Sequence, residues 1–331
     1  MTMPRVSGYP EVLRLAGKLL RVRYSSRTPP PLAERTTLLR RTNDRAGRVA
    51  SRYRQLSRRG CYRLEWVDTG TFDLDTRRAE VTCHLVPGAS RGAVEEVLRG
   101  PVCAFLLLEH GFEPLHASAV EVDGRCVAFG GSPGAGKSSL VAWMSRNGAR
   151  FLCDDILPLR QRGRGIWGHP GLAQIRLEPP TARKLGWREP RGAKREPHEK
   201  LKFPVATARG ARRMARIYLL QRLADRGKAA AGREVEIRRL EPRAAFRALL
   251  KCTRNDSLDT PERLRRQMRL FARLARTIPV CRLRYPGSFA ALPAVLACIR
   301  QDLAAATRPE ARPNERGGGG IPGACGRARA G

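Results

Sequence analysis

Apolar and polar residues alternate over three short segments in the first third of the chain. These segments are residues 62–66, 71–74 and 80–86. An alternation with period two places apolar side chains on one face of a strand, so the segments are predicted to form antiparallel strands. A helix is predicted over residues 92–98, and the apolar run at 102–110 is interpreted as a buried strand or helix.

The pattern changes to strands interleaved with helices after residue 116. Two apolar segments, 117–122 and 125–129, flank the dipeptide Asp123-Gly124, which predicts a β-hairpin. A helical period over 137–146 follows and ends at Asn147-Gly148. Further strands are predicted at 151–153, 217–221, 235–240 and 280–283, and further helices at 242–252, from 260 onwards and at 289–303. This order of elements indicates an α/β fold.

Positive charge is concentrated outside this central part. The formal net charge is +34, and residues 1–60 hold fifteen Lys and Arg against three acids, whereas residues 101–160 hold five against six. The basic stretches lack the interleaved aromatic residues of a single-strand binder. We therefore interpret the excess as general basic composition rather than a nucleic-acid surface, with an acidic peptide partner as an alternative.

Composition also divides the chain and excludes several classes of protein. Residues 1–60, basic and broken by prolines at 29–31, are expected to be a loosely ordered extension; 61–306 a catalytic domain; and 307–331 a disordered Gly/Arg tail. The nine cysteines show neither CxxC pairs nor metal-ligand spacing, which argues against a disulfide framework and a zinc site. No apolar stretch has the length of a membrane span, and no secretory signal is recognisable, so a cytoplasmic protein is expected.

A glycine-rich loop supplies the most specific motif. Residues 131–138 match GxxxxGK[ST] in full, between a predicted strand and a predicted helix. Backbone N–H groups of such a loop point at phosphate oxygens, Lys137 would neutralise the β- and γ-phosphates of ATP, and Ser138 would ligate magnesium. The candidate nucleotide-binding residues are Gly131, Ser132, Pro133, Gly134, Ala135, Gly136, Lys137, Ser138 and Ser139.

Two adjacent carboxylates follow the short strand at 151–153. Asp154 and Asp155 are predicted to lie at the carboxyl end of that strand, where ligands bind in α/β folds. A phosphate-loop enzyme needs one acid there to hold magnesium, and a kinase needs a second carboxylate to orient the attacking hydroxyl. The pair can divide these two tasks.

The remaining chemical side chains carry weaker signals. His116 by itself is typical of a core histidine. His169 and His198 are expected at the surface or in turns. Lys200 and Lys202 could reach phosphates, but a solvated charge run is the favoured interpretation.

Three segments together resemble a known family. They are Leu-His-Ala-Ser-Ala-Val at 115–120, the loop at 131–138, and Gly-Ala-Arg-Phe-Leu-Cys-Asp-Asp at 148–155. They resemble the catalytic domain of HPr serine kinase, and more closely the HPr-kinase-like proteins of peptide natural-product clusters, including kinases of lasso-peptide precursors. A weaker similarity extends over residues 62–303. The resemblance implies a P-loop kinase of the phosphoenolpyruvate carboxykinase-like type, with a mixed, curved sheet and flanking helices.

The resemblance also implies roles for the matching residues. Lys137 and Ser138 would bind ATP and magnesium, Asp154 would support the metal, and Asp155 would act as base toward a serine hydroxyl. His116 would contact that carboxylate or the phosphate. The assignment of the two aspartates to their roles is left open.

Departures from the family bear on the substrate. Bifunctional HPr enzymes carry an acidic residue directly after the loop serine, where this chain has Ser139, and their later glycine-rich signature has no counterpart here. A Mg-ATP-dependent serine kinase of a peptide or small protein, such as a lasso or other ribosomal natural-product precursor, is therefore the expected function. The alternatives are an HPr serine kinase/phosphorylase and a nucleotide-gated regulatory protein that binds nucleic acid. The ring assembly of HPr kinases makes a homo-oligomer an expectation as well.

Overall fold

Seven strands form one sheet in the first part of the chain. The computed structural model describes residues 12–32, 35–188, 200–223, 235–253 and 260–305. The seven strands are β1 (Val12–Leu15), β2 (Lys18–Ser25), β3 (Thr37–Asn43), β4 (Val49–Gln55), β5 (Cys61–Trp66), β6 (Gly70–Asp75) and β7 (Glu80–Leu85). Their order is β1-β2-β7-β6-β5-β4-β3, and only the β2–β7 pair in this sheet is parallel.

The expectation of a loosely ordered extension over residues 1–60 is wrong for the described residues in that range. β1 to β4 belong to the same sheet as the three predicted strands: β2 pairs with β7, and β4 pairs with β5 on the other side of the expected boundary at residue 60. The physical reason lies in the strands themselves. Leu20 and Val22 of β2 are buried, whereas the intervening Arg21 is exposed. Arginines at the outward positions concealed an apolar alternation that is typical of a half-buried strand.

A helical layer covers one face of this sheet. It consists of α1 (Arg91–Val97), a π-helical stretch at Leu98–Val102 and α2 (Cys103–Glu109), so the ambiguous apolar run at 102–110 is mainly helical. Inward residues of the sheet, among them Leu64, Phe72 and Val81, form a core with Phe105 and neighbouring residues of this layer.

The second part of the chain contains a larger mixed sheet. Its elements, in chain order, are β8 (Glu113–Leu115), β9 (Ser118–Val122), β10 (Arg125–Gly130), α3 (Lys137–Arg146), β11 (Arg150–Cys153), β12 (Leu157–Arg162), β13 (Gly165–Gly168), β14 (Gln174–Leu177), α4 (Pro179–Lys184), β15 (Leu201–Pro204), β16 (Arg212–Leu223), β17 (Glu236–Arg239), α5 (Pro242–Leu250), α6 (Pro261–Thr277), β18 (Val280–Pro286) and α7 (Leu292–Ala305). A 3₁₀ turn at Phe289–Ala291 leads into α7.

Nine of these strands form the mixed sheet. Seven follow the order β11-β9-β10-β16-β13-β12-β8, and β18 pairs with both β16 and β17. The pairs β10–β16 and β16–β18 are parallel, whereas β9–β10 is antiparallel. β14 and β15 form a separate two-stranded sheet.

Helices pack on both faces of the nine-stranded sheet. Val127 and Phe129 of β10 belong to a core with residues of α3 and α7, whereas Cys126 and Ala128 belong to a core with residues of α5 and α6. Because alternate residues of a strand point to opposite faces, the sheet is covered on both sides. The α/β prediction is confirmed in this form, a mixed sheet with flanking helices.

Most predicted elements of the central unit are present. The β9–β10 hairpin turns at Asp123 and Gly124, whose φ angles of 48° and 73° are those of a type I′ turn. α6 begins after the N-cap Thr260, whose side chain accepts a hydrogen bond from the Arg263 amide. The sequence analysis missed β8, β12, β13, β14, β15 and α4. The predicted tail at 307–331 and His198 lie outside the described residues.

Two exclusions can be compared with the described residues. None of their helices is long and apolar enough to cross a membrane. Every cysteine in the described part of the chain is free.

Candidate active site

The phosphate-loop motif occupies the turn between β10 and α3. Gly131, Gly134 and Gly136 have positive φ angles of 142°, 79° and 93°, which residues with a Cβ rarely adopt. A Cβ on Gly136 would collide with the hydroxyl of Tyr285. That hydroxyl donates a hydrogen bond to the Ala135 carbonyl oxygen at 2.7 Å, and Tyr285 is buried. Tyr285 of β18 therefore restricts the shape of the loop.

Lys137 lies at the start of α3. Its Nζ donates hydrogen bonds to the carbonyl oxygens of Gly131 at 2.7 Å and Ser132 at 3.3 Å. Burial lowers the pKa of Lys137, and the charges of Asp155 and Asp154 partly offset that effect. The positive end of the α3 dipole adds to the lysine, so the loop presents an anion-binding surface.

Asp154 accepts hydrogen bonds from three sides. Oδ1 accepts from the hydroxyls of Ser138 at 2.8 Å and Ser118 at 2.7 Å, and Oδ2 accepts from the Arg176 amide at 3.1 Å. The loop serine and this aspartate are thus brought together, as the metal assignment requires. Hydroxyl and carboxylate oxygens are the ligands that magnesium prefers, and at nucleotide sites it takes few protein ligands and completes its shell with phosphate oxygens. Ser138 and Asp154 fit that requirement.

Asp155 points to a different set of partners. Its Oδ1 lies 3.1 Å from Nδ1 of His116, and its Oδ2 lies 3.4 Å from a guanidinium nitrogen of Arg176. Its φ angle is 79°, a left-handed conformation that costs free energy for a residue with a Cβ. This backbone turn sends two adjacent carboxylates in different directions, which separates the Asp154 and Asp155 environments.

His116 reaches this position through two elements. Leu115 of β8 is paired with Leu157 of β12, so His116 lies beside the turn that carries Asp155. The His116 amide donates a hydrogen bond to the Cys252 carbonyl oxygen at 2.8 Å, just beyond α5. The side chain is about a quarter exposed. His116 can therefore meet a substrate while touching Asp155, which a satisfied core histidine would not do.

Sheet topology explains why these residues converge. β10 and β11 end, and β9 begins, at one edge of the nine-stranded sheet, because β9 is antiparallel to both β10 and β11. That edge carries the loop, Ser118, Asp154 and Asp155. Ligand sites at the carboxyl ends of strands are the rule in open α/β sheets.

Several site residues were missed by the sequence analysis. Arg176 lies in β14, where only a short alternating segment after the aspartate pair could have drawn attention to it. Ser118 was visible two residues after His116. Cys252 contacts the loop from α5: burial raises the pKa of its thiol, and a backbone hydrogen bond with Gly131 opposes that shift. Tyr285, whose hydroxyl donates to the Ala135 carbonyl oxygen, was also missed.

Other candidates lie away from this edge. His169, expected at the surface or in a turn, lies in the connection after β13 but is buried, and its ring packs against Phe112 with centroids 4.9 Å apart. Lys202 donates to the buried Glu95 at 2.9 Å, and Lys200 lies 3.8 Å from Glu178. Ser139 lies in the first turn of α3, directly after Ser138.

Comparisons with known proteins give little further information. No protein-family model matches the chain, and no curated protein matches it in sequence. Among solved structures, the HPr(Ser) kinase/phosphatase from Coxiella burnetii is similar at 13% sequence identity and a TM-score of 0.32, over 59% of this chain and 99% of that protein. A TM-score of this size is too low to assign a shared fold. The function below is therefore argued from the geometry of the site.

Proposed function

We propose that the protein is a Mg-ATP-dependent serine kinase that phosphorylates a hydroxyl of a peptide or small protein. The observation that carries this proposal is the division of labour between two adjacent carboxylates. Asp154 is hydrogen-bonded to Ser138 of the phosphate loop, whereas Asp155 faces His116 and Arg176. A simple nucleotide-binding site needs the first carboxylate only, and the second is the group that a hydroxyl acceptor requires.

The transfer step assigns each side chain a task. Lys137 and the loop amides hold the β- and γ-phosphates of ATP. Asp155 accepts the proton of the acceptor serine as its Oγ bonds to the γ-phosphorus, and the bond from that phosphorus to the β,γ-bridging oxygen breaks to leave ADP. Arg176, 3.4 Å from Asp155, can bind the transferred phosphoryl oxygens with its remaining donors.

His116 supports the base. A ring nitrogen 3.1 Å from the carboxylate restricts the rotation of Asp155. Magnesium, held by Ser138 and Asp154 when bound, would neutralise charge on the phosphate oxygens. Apart from Arg176 of β14, the residues with these tasks lie at one edge of the nine-stranded sheet.

The substrate class is inferred from the sequence. Ser139 stands where bifunctional HPr enzymes carry an acid, which favours a one-way kinase over a kinase/phosphorylase. The resemblance of residues 115–120 and 148–155 to kinases of lasso-peptide precursors favours a natural-product precursor peptide as acceptor.

The direct test is phosphoryl transfer to candidate acceptors. Purified protein with Mg-ATP is incubated separately with precursor peptides from neighbouring genes and with HPr, and products are identified by mass spectrometry. The expected product carries one added phosphate on a serine, and the same peptide with alanine at that serine should remain unmodified. ADP formation without any phosphorylated acceptor would show an ATPase and refute the kinase. Transfer to HPr alone would refute the peptide assignment.

A further inference from the structure

The outer face of α6 carries a continuous row of arginines. Phe271 and Leu274 of this helix are buried in the core, and the arginines on the opposite side are exposed except for Arg273, which is partly buried. The arginine stripe consists of Arg265, Arg266, Arg269, Arg273 and Arg276. At about 100° per residue these five side chains fall within an arc of roughly 100°, and at about 1.5 Å per residue they span roughly 16 Å.

The positive charge of the stripe is largely uncompensated. Arg265 lies 3.6 Å from Glu262, one turn earlier. Arg273 donates a hydrogen bond to the carbonyl oxygen of the exposed Arg164 at 3.0 Å, which adds a sixth arginine at the far end. Among the described residues, no carboxylate other than Glu262 lies within ion-pair distance of the stripe. Like charges one turn apart repel each other, and a bound anion would remove that repulsion.

The stripe starts near the proposed acceptor site. Arg263, in the first turn of α6, is buried and lies 3.1 Å from Glu113 of β8. Glu113 is three residues before His116, a distance of about 10 Å along an extended chain. A peptide whose serine lies beside His116 and Asp155 can therefore continue onto α6 after a few residues.

We infer that the arginine stripe binds an acidic segment of the peptide substrate, an inference that rests on the proposed kinase function. Arg265 and Arg269 are about 6 Å apart along the helix axis. Alternate side chains of an extended peptide are about 6.6 Å apart, so carboxylates at every second position would match successive arginines. The planar guanidinium also pairs with carboxylates through two parallel hydrogen bonds.

A nucleic-acid strand offers similar charge spacing but fits the surface less well. Proteins that hold single strands combine basic residues with exposed aromatic rings on which bases stack. The single aromatic residue of α6, Phe271, is fully buried. Because the stripe starts near the proposed acceptor site, a peptide whose serine occupies that site can contact the stripe as well. This proximity adds nothing to the binding of a nucleic acid.

The test uses binding and phosphorylation in parallel. Fluorescein-labelled peptides of about twenty residues carry one serine and a flanking run of alternating glutamates, placed on either side, and control peptides carry glutamines instead. R265Q/R269Q/R276Q removes three charges from the stripe, and R14Q/R45Q/R59Q removes three exposed arginines from the first sheet as the matched control. Fluorescence anisotropy is measured at physiological salt, without ATP and with a single-stranded oligonucleotide as competitor.

The expected result is selective weakening by the stripe variant. The glutamate peptide in one orientation should bind roughly tenfold more weakly to that variant, about twofold per exposed ion pair lost, and its KM should rise by a similar factor with unchanged kcat. The control variant and glutamine peptides should show no such difference. Equal binding of glutamate and glutamine peptides, or stripe-dependent binding of the oligonucleotide alone, would overturn the inference. Stripe-dependent binding without phosphorylation would leave the inference standing and refute the kinase.

Discussion

Replacing Asp155 by asparagine tests the division between the two carboxylates most directly. The side chain keeps its size, and the amide can still accept from Arg176, which lies 3.4 Å from the native carboxylate. Asparagine also tolerates the left-handed φ of 79° about as well as aspartate does. The substitution therefore removes the proton acceptor and one negative charge while leaving the backbone turn in place.

The magnitude follows from the task assigned to the residue. General base catalysis contributes about 10²- to 10⁴-fold, which is roughly 3–5 kcal/mol of the barrier at about 1.4 kcal/mol per factor of ten. Nucleotide binding should not weaken. The Asp155 charge raises the pKa of Lys137, but it also repels the phosphates of ATP. The expected outcome is an unchanged or lower Kd for ATP and a loss of at least about a hundredfold in kcat.

Two assays separate these quantities. Calorimetric titration with a non-hydrolysable ATP analogue gives Kd, and transfer of label from γ-labelled ATP to peptide gives kcat. D154N is the contrasting variant: its amide oxygen can still accept from Ser138, but the lost carboxylate charge should weaken the magnesium-dependent part of nucleotide binding. Transfer by D155N within tenfold of the wild-type rate would refute the assignment of Asp155 as the base. A similar loss of ATP affinity in both aspartate variants would refute the division between them.

Three further substitutions test other parts of the structure. G136A places a methyl group against the Tyr285 hydroxyl at a φ of 93°, so nucleotide affinity measured by calorimetry should fall about tenfold, and Y285F should restore part of it. E95A removes the buried carboxylate that pairs with Lys202, Arg91 and Arg99, and urea unfolding should show a loss of about 3 kcal/mol, with a smaller loss in K202M, which keeps both arginine pairs. His169 is buried, which lowers its pKa from 6.5 to about 4, with Arg162 and Arg160 contributing. Between pH 6.5 and about 4, the unfolded state therefore binds more protons than the folded state. As the pH falls through this range, the free energy of unfolding should decrease by up to about 1.4 kcal/mol per pH unit. H169Q should lack this contribution to the slope.

A different result would contradict each of these three predictions. Unchanged nucleotide affinity in G136A would show that the loop can shift away from Tyr285. Equal stability of E95A and the wild type would show that the ion pairs of Glu95 make no net contribution to the free energy of unfolding. A wild-type slope in H169Q would assign the acid sensitivity to other groups.

Local motifs were predictable because their physics is local. The loop glycines, the Asp123-Gly124 turn and the Thr260 cap each need only a few adjacent residues, and all three are present in the structure. The first four strands of the first sheet were missed for a different reason. In β1 and β2 the inward Leu13 and Leu20 alternate with charged residues, and a count of arginines over sixty residues conceals that alternation.

Contacts between distant segments could not be predicted from the residues alone. Arg176 reaches Asp155 because β14 pairs with β15 and its amide binds Asp154, and neither condition is visible in a four-residue strand. The burial of His169 depends on Phe112, more than fifty residues earlier in the chain. The burial of such a side chain depends on tertiary packing, which the local sequence Gly168-His169-Pro170 does not show.

Cys252 links the two halves of the site. Its carbonyl oxygen accepts the His116 amide at 2.8 Å, and its thiol approaches Gly130 and is hydrogen-bonded with the Gly131 backbone. The end of α5 therefore holds both the histidine beside the proposed base and the first residue of the phosphate loop. A displacement of either would move the other, because both are attached to the same residue. In the proposed kinase, the relative placement of phosphate and acceptor would thus be set by a helix end that carries no catalytic side chain.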